Sequence, residues 1–257
     1  MDAGTVSVLR IRASAVDSAA DGAKEVDASA AGSVAIDEAS ARAAERATEI
    51  RWLGRIAYEQ ALDLQLALRD ARLRGEVGDT ALLVEHPDVI TFGSRGRGVG
   101  AHAQPSDAEL RARGYAVHQV RRGGEATYHG PGQLVGYPVL DLRRRRLDVA
   151  AYLRALEDVL IAVAAEVGVA CGRRPGYTGV WVDERRKLAS IGVGIRRWVT
   201  THGFALNVSC DLARFDAIVP CGLEGVEMVS LSSVSARAIE LADVRERTAA
   251  ALLRRFP

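Results

Sequence analysis

At 257 residues the chain has room for one large domain or two small ones. Hydrophobic residues make up 48 % and aromatics only 5 %, so the core is built mainly from aliphatic side chains. A formal net charge of +1 gives no global attraction to nucleic acid or to a membrane surface. No stretch approaches the ~20 apolar residues that span a bilayer. The first residues read as lacking the basic flank and apolar run of a secretory signal. Three cysteines without CxxC spacing, Cys171, Cys210 and Cys221, argue against a disulfide framework or a zinc knuckle. They fit a reducing compartment, and the chain reads as cytoplasmic.

Residues 1–48 are rich in Ala, Ser and Asp, with 8 acidic and 5 basic groups, and read as a disordered extension. The alanine-rich run 39–47 has helix propensity that could extend into the next element. Residues 49–257 carry 29 basic and 25 acidic groups. Leucines at Leu62, Leu64, Leu66, Leu68 and Leu73 predict a helix over 55–74 that stops before Gly75. Strands follow at 80–85 and 89–92. The glycine-arginine loop 93–100 lacks the GxxxxGK[ST] pattern of a phosphate cradle. Ser106 and Glu109 form a capping box that opens a short helix to Arg113. A strand over 117–121 then enters RRGGEATYHGPGQLVGYPVLDL, residues 121–142, where four glycines and Pro131 surround His129 before a strand resumes at Gln133. Glycine lets backbone approach a ligand closely.

Four arginines, Arg143 to Arg146, precede Asp148, which caps a helix over 149–167 closed by Gly168. The run reads equally as a docking patch or as a solvated turn. Strands are predicted at 169–173, 178–182, 187–197 and 199–208, with a tight polar turn at 183–186. The alternation of Ile191, Val193 and Ile195 fits one buried face. A last amphipathic helix covers 241–256. Several adjacent strands interspersed with helices predict a single α/β (α+β) domain with a mixed β-sheet flanked by helices.

Only two of the 34 basic residues are lysines, Lys24 and Lys187. Arg stays protonated in proteins, whereas a buried Lys can act as a base. Lys187 opens the apolar strand KLASIGVGI. Cys171 and Cys210 read as packed thiols. Cys221 lies between Pro220 and Gly222 on a stiff turn, and its context leaves it open between packed and reactive. A nucleophilic thiol needs a proton acceptor, for which Lys187, His129 and His202 are candidates. His202 reads as structural and His129 as positioning. No histidine pair has metal-ligand spacing, so no metal is expected.

The motifs RGGEATYHGPGQLVGYPVLDL, KLASIGVGI, HGFALNV and FDAIVPCGL, with EHPDVITFG before them, closely resemble the lipoyl(octanoyl) transferases in order and spacing. These are octanoyl-[acyl-carrier-protein]:protein N-octanoyltransferases, and the resemblance covers residues 50–254. It implies a catalytic domain at 49–257 with a fold similar to the biotin/lipoate protein ligase catalytic domain. It implies that Cys221 is the acyl-thioester nucleophile and that Lys187 lowers its pKa. It implies a substrate site formed by Arg122, Gly123, Gly124, Glu125, Ala126, Thr127, Tyr128, His129, Ser190, Ile191, Gly192, Gly203, Phe204 and Ala205. The implied donor is octanoyl-acyl-carrier protein. The implied acceptors are lipoyl domains of 2-oxoacid dehydrogenase complexes and the glycine cleavage H protein. Neither ATP nor a metal is implied, nor a nucleic-acid or membrane partner. The alternatives are an ATP-dependent lipoate or biotin protein ligase on the same fold, and a non-catalytic carrier- or lipoyl-domain binding protein.

Overall fold

The computed structural model describes residues 9–11, 48–96, 105–219, 225–235 and 237–257. Among these, two sheets carry the fold. The larger one contains β1 (Leu9–Ile11), β2 (Glu49–Arg55), β3 (Thr80–Glu85), β7 (Gln133–Val139), β8 (Val180–Trp181), β9 (Arg186–Arg196), β10 (Val199–Asn207) and β11 (Glu227–Met228). Its order is β1-β2-β3-β7-β10-β9-β11, with β8 also paired to β9. The smaller sheet has the order β5-β4-β6, from β4 (Val89–Phe92), β5 (Ala116–Gln119) and β6 (Ala126–His129). Both sheets are mixed: β2–β3, β9–β11 and β4–β5 run parallel, the other pairs antiparallel.

Helices cover both faces of the larger sheet. α1 (Tyr58–Arg74) lies on one face. α3 (Val149–Glu166) and α5 (Leu241–Arg255) lie on the other. α2 (Asp107–Ala112) and the 3-10 helix Leu212–Ala217 pack on the small sheet, and α4 (Leu231–Val234) follows β11. α3 forms because Tyr152, Ala155, Leu156, Val159, Leu160 and Val163 recur at helical spacing and are all buried. Each large aliphatic side chain contributes roughly 1.5–3 kcal/mol on burial. The Asp148 carboxylate accepts from the Ala151 N–H at 2.7 Å and starts the helix. At the end of α1, Gly75 takes φ +78°, and its N–H and that of Glu76 close back on Arg72 and Ala71.

Several expectations hold, and others are corrected. The capping box at Ser106–Glu109 is formed. The turn at 183–186 closes on the Asp183 carboxylate, which accepts from the Arg185 and Arg186 N–H groups. The glycine-rich stretch, read as loop, contains strand β6, and a three-stranded second sheet accompanies the main one. The strand expected at 169–173 reduces to one bridge, Gly172 to Trp181. β2 replaces any helical continuation of run 39–47, which itself lies outside the described residues. So does most of the extension 1–48, apart from Thr48 and β1, which pairs with β2.

The leucine stripe of α1 is offset from its buried face, which is Tyr58, Ala61, Gln65, Leu68 and Arg72. Gln65 is buried because its Oε1 accepts the His202 N–H at 2.8 Å. Arg72 is buried because Nε donates to Asp79 at 2.7 Å. The arginine run is divided as well. Arg145 turns inward onto Asp79 at 2.6 Å, while Arg143, Arg144 and Arg146 stay exposed.

Candidate active site

The two sheets meet around a cavity of about 680 Å³. Thirteen of the fourteen expected substrate residues line it, and so does Lys187. The exception is Tyr128. Alternation along β6 turns its ring into the small-sheet core, where its hydroxyl donates to Asp88 at 2.7 Å. The expected buried face of β9 is in fact cavity wall: Ile191 and Val193 are half-buried and Ile195 is exposed.

Arg122 is a structural pin. Its Nη2 donates to the Thr91 carbonyl and hydroxyl, both at 2.8 Å, and Nη1 donates to the Gly123 carbonyl at 3.0 Å. The Gly123 N–H reaches the Val193 carbonyl at 2.9 Å, tying the glycine stretch to β9. This closeness requires glycine at 192, since a Cβ there would lie 2.8 Å from the Gly123 carbonyl oxygen. That glycine serves backbone packing first, and the room it leaves for a ligand is secondary.

Lys187 is only 3 % exposed. β9 holds it between Trp181 of β8 and Met228 of β11. Its Nζ lies 5.2 Å from the centre of the Trp181 ring. Gly179 packs against its stem at φ +126°, and the Gly179 N–H donates to buried Glu157 at 3.1 Å. Arg154 and Arg173 pair with the same carboxylate. Glu157 of α3 therefore sets the position of the turn on which Lys187 rests.

At the opposite wall, the four described histidines gather around Tyr58. Their contacts are His86 at 5.3 Å, His118 at 5.4 Å and His129 at 6.0 Å between ring centres, and His202 Nδ1 at 3.4 Å from the hydroxyl. Burial pushes His86 and His202 down to about 4 and His129 well below the usual histidine range. These three rings are therefore neutral near pH 7. His86 Nδ1 faces the Ile56 carbonyl at 2.8 Å, an obligate acceptor, so Nδ1 carries the hydrogen. Nε2 then accepts from the Tyr137 hydroxyl at 2.8 Å. His129 Nδ1 meets Gln133 Oε1 at 2.8 Å. The Gln133 amide donates to Asn207, Asn207 donates to the Val229 carbonyl, and the Val229 N–H donates to the Lys187 carbonyl. This chain of hydrogen bonds joins the histidine wall to the backbone at Lys187.

His202 departs from strand geometry. Phe204 and Leu206 face α3, so alternation would turn His202 the same way. A φ of +55° turns it instead toward Tyr58. Strain of this kind costs of order 1–3 kcal/mol and persists where the surroundings enforce it. Cys171 and Cys210 are free thiols pushed by burial up to about 11 and about 12, which makes them poor nucleophiles. Cys221 lies in 220–224, outside the described residues. The chain resumes at Gly225, three residues before Met228, the strand partner of Lys187. Among the described residues, no three His, Cys, Asp or Glu side chains converge as metal ligands, and no helix is long and apolar enough to cross a membrane.

Residues 57–253 match the lipoyl protein ligase A/B catalytic domain family. The chain is 50 % identical over 208 residues to an octanoyltransferase of Geobacter metallireducens, covering 81 % of this chain and 91 % of that one. The chain belongs to the lipoyl(octanoyl) transferase family. Another octanoyltransferase, from Chloroflexus aurantiacus, is 48 % identical over 204 residues, 79 % of this chain and 91 % of that one. Solved structures share the transferase's fold at lower identity. A bipartite lipoate protein ligase of Thermoplasma acidophilum superposes with TM-score 0.61 at 15 % identity, covering 80 % of this chain and 82 % of that one. Lipoate-protein ligase A bound with ATP gives 0.59 at 16 %, covering 78 % and 82 %.

In this transferase, sequence reasoning missed Tyr58, Tyr137, Gly179 and Trp181. The aromatic rings among them sit on otherwise ordinary core positions, which carry no local signal. Gly179 had one in principle, as a glycine inside the predicted strand 178–182. Gly179→Ala is expected to destabilise the fold by roughly 1–3 kcal/mol, because the new Cβ would lie 2.6 Å from the Ala189 carbonyl oxygen and 2.9 Å from Lys187 Cε. The melting temperature and the transfer rate should fall together, and an unchanged rate would mean that Gly179 does not position Lys187.

Proposed function

We propose that the chain transfers an octanoyl group from octanoyl-acyl-carrier protein, through a thioester on Cys221, to a specific lysine of lipoyl domains. Family membership makes it an acyltransferase of lipoate metabolism. The observation that carries the finer reading is a nearly unexposed lysine at one end of the substrate cavity, in a chain where arginine otherwise supplies almost every cation. In the first step Cys221, its proton passed to Lys187, attacks the donor thioester, and the carrier's pantetheine thiol leaves with a proton. In the second, the acceptor amine attacks the Cys221 thioester, an amide forms and the thiol is restored. Thioester exchange is near isoenergetic and amide formation runs downhill, so the transfer requires no ATP. The octanoyl chain lies along Ile191, Val193 and the small residues of β9 and β10, where burial contributes roughly 0.8 kcal/mol per CH₂. The neutral His129 and Tyr58 wall orients without adding charge. Residues 49–257 form the catalytic unit, and a reduced, cytoplasmic setting keeps the thiol free.

Intact-mass measurement after incubation with octanoyl-carrier protein, without ATP, is expected to show one octanoyl adduct, mapped by peptide sequencing to Cys221. An adduct on Cys171 or Cys210, or none before ATP is added, would overturn the scheme.

A further inference from the structure

One polar atom of the histidine wall is left open toward the cavity, and its protonation is fixed. The Asn207 amide donates to the Val229 carbonyl at 2.9 Å, so Asn207 turns Oδ1 toward Gln133. Gln133 spends both amide hydrogens, on that Oδ1 at 2.9 Å and on the Tyr128 carbonyl at 3.2 Å. Its Oε1 can only accept, so the hydrogen of the His129 ring is on Nδ1. Nε2 therefore carries a lone pair. His129 is 6 % exposed and lines the cavity, yet Nε2 is not sealed in by its neighbours and bonds to none of the described residues. The rest of the wall is closed. His86 uses Nδ1 on the Ile56 carbonyl and Nε2 on the Tyr137 hydroxyl, and the Tyr58 hydroxyl faces His202 Nδ1.

A lone acceptor in a cavity wall calls for a ligand with an N–H or O–H to give. The octanoyl chain has none. The amine that takes up the octanoyl group does. Charge favours that amine in the form that reacts. Burial holds the His129 ring neutral, and the Arg122 guanidinium nearby opposes further positive charge. Among the described residues, Glu125 is the one carboxylate that lines the cavity, and it stands 3.8 Å from Arg95. An ammonium entering here finds no anion of its own, so the free amine, which is the nucleophile, is the favoured form. A pantetheine amide also has an N–H, but its carbonyl needs a donor, and the Tyr137 hydroxyl is already given to His86. Gln133, on β7, stands two strands from β9, about 10 Å, so an amine on Nε2 can lie between the histidine wall and the strand of Lys187.

We propose that His129 Nε2 accepts a hydrogen bond from the amine of the acceptor lysine and holds it for attack on the Cys221 thioester. The proposal rests on the acyl-enzyme reading given above. The amine nitrogen bonds to the thioester carbon, the carbon–sulfur bond breaks, and the sulfur takes the electron pair. The proton lost by the amine passes by way of Lys187 to that sulfur. His129 keeps its own hydrogen throughout and acts on this second half-reaction alone.

The test times the two half-reactions separately. Acyl-enzyme formation from octanoyl-carrier protein is followed by intact mass, and the isolated octanoyl-enzyme is then discharged onto a lipoyl domain. His129→Asn keeps an amide N–H where Nδ1 meets Gln133 and removes Nε2. His129→Phe keeps a ring against Tyr58 and removes both nitrogens. In each, discharge is expected to slow at least about tenfold while acyl-enzyme formation changes by less than about twofold, so the octanoyl-enzyme accumulates. Either variant alone carries the test. Equal slowing of both steps would mean a structural role, slowing of acylation alone would assign His129 to the donor, and unchanged discharge would leave Nε2 without a role; each overturns the proposal. A wild-type protein that forms no octanoyl-enzyme overturns the acyl-enzyme reading, and this proposal with it.

Discussion

Replacing Lys187 with methionine is expected to lower kcat/KM for octanoyl transfer by roughly 10²–10⁴, the range of a lost general base. Cys221→Ala should leave only the uncatalysed background. Methionine keeps the length and apolar stem of Lys187, so β9 and its pairing with β8 and β11 have no reason to change. Lys187→Arg should do no better than Lys187→Met: arginine keeps the charge but does not give up a proton, and its fork is too wide for a stem packed against Gly179. The measurement is steady-state transfer to a lipoyl domain, with acyl-enzyme formation followed separately by mass. Lys187→Met should slow the appearance of the acyl-enzyme itself. If Lys187→Arg retains near-normal rates, the side chain acts as a fixed charge and not as a base. If Cys221→Ala still transfers octanoyl, the covalent scheme is wrong.

How far the sequence revealed this arrangement depends on the kind of signal each element carries. α3 was legible because its apolar positions repeat at helical spacing and Asp148 caps it. β9 and β10 were legible as long apolar runs. α1 was placed correctly, but its buried face was not, since Gln65 and Arg72 are buried for their hydrogen bonds and hydrophobic periodicity cannot register that. β6 was hidden because Ala126–His129 sits among glycines that read as loop, and its partner β4 lies more than thirty residues earlier. Lys187 stood out through composition alone, in a chain with two lysines. The histidine wall was invisible for the opposite reason: His86, His118, His129 and His202 are dispersed in the chain, and only folding against Tyr58 brings them together. The split of the arginine run was equally out of reach, because Arg145 turns inward toward Asp79, sixty-six residues earlier.

The same histidine wall makes the protein acid-sensitive over a defined window. His86 and His202 are held at about 4 against an ordinary value of 6.5, and His129 lies lower still. A histidine whose folded pKa is depressed stabilises the fold above 6.5, where both states are neutral. As pH falls below 6.5 the unfolded chain takes up protons that the folded chain refuses, so stability declines down to about 4. At ~1.4 kcal/mol per pKa unit, His86 and His202 each account for roughly 3 kcal/mol across the window. Together they rival the ~5–15 kcal/mol net stability of a typical domain. Urea denaturation at a series of pH values should therefore show unfolding free energy falling by about 3–4 kcal/mol per pH unit near pH 5, the slope for two to three protons. That range lies mostly above the titration of ordinary carboxylates, which separates the two contributions. A slope below about 1.4 kcal/mol per unit there, fewer than one proton, would mean that the rings around Tyr58 are protonated in the folded protein.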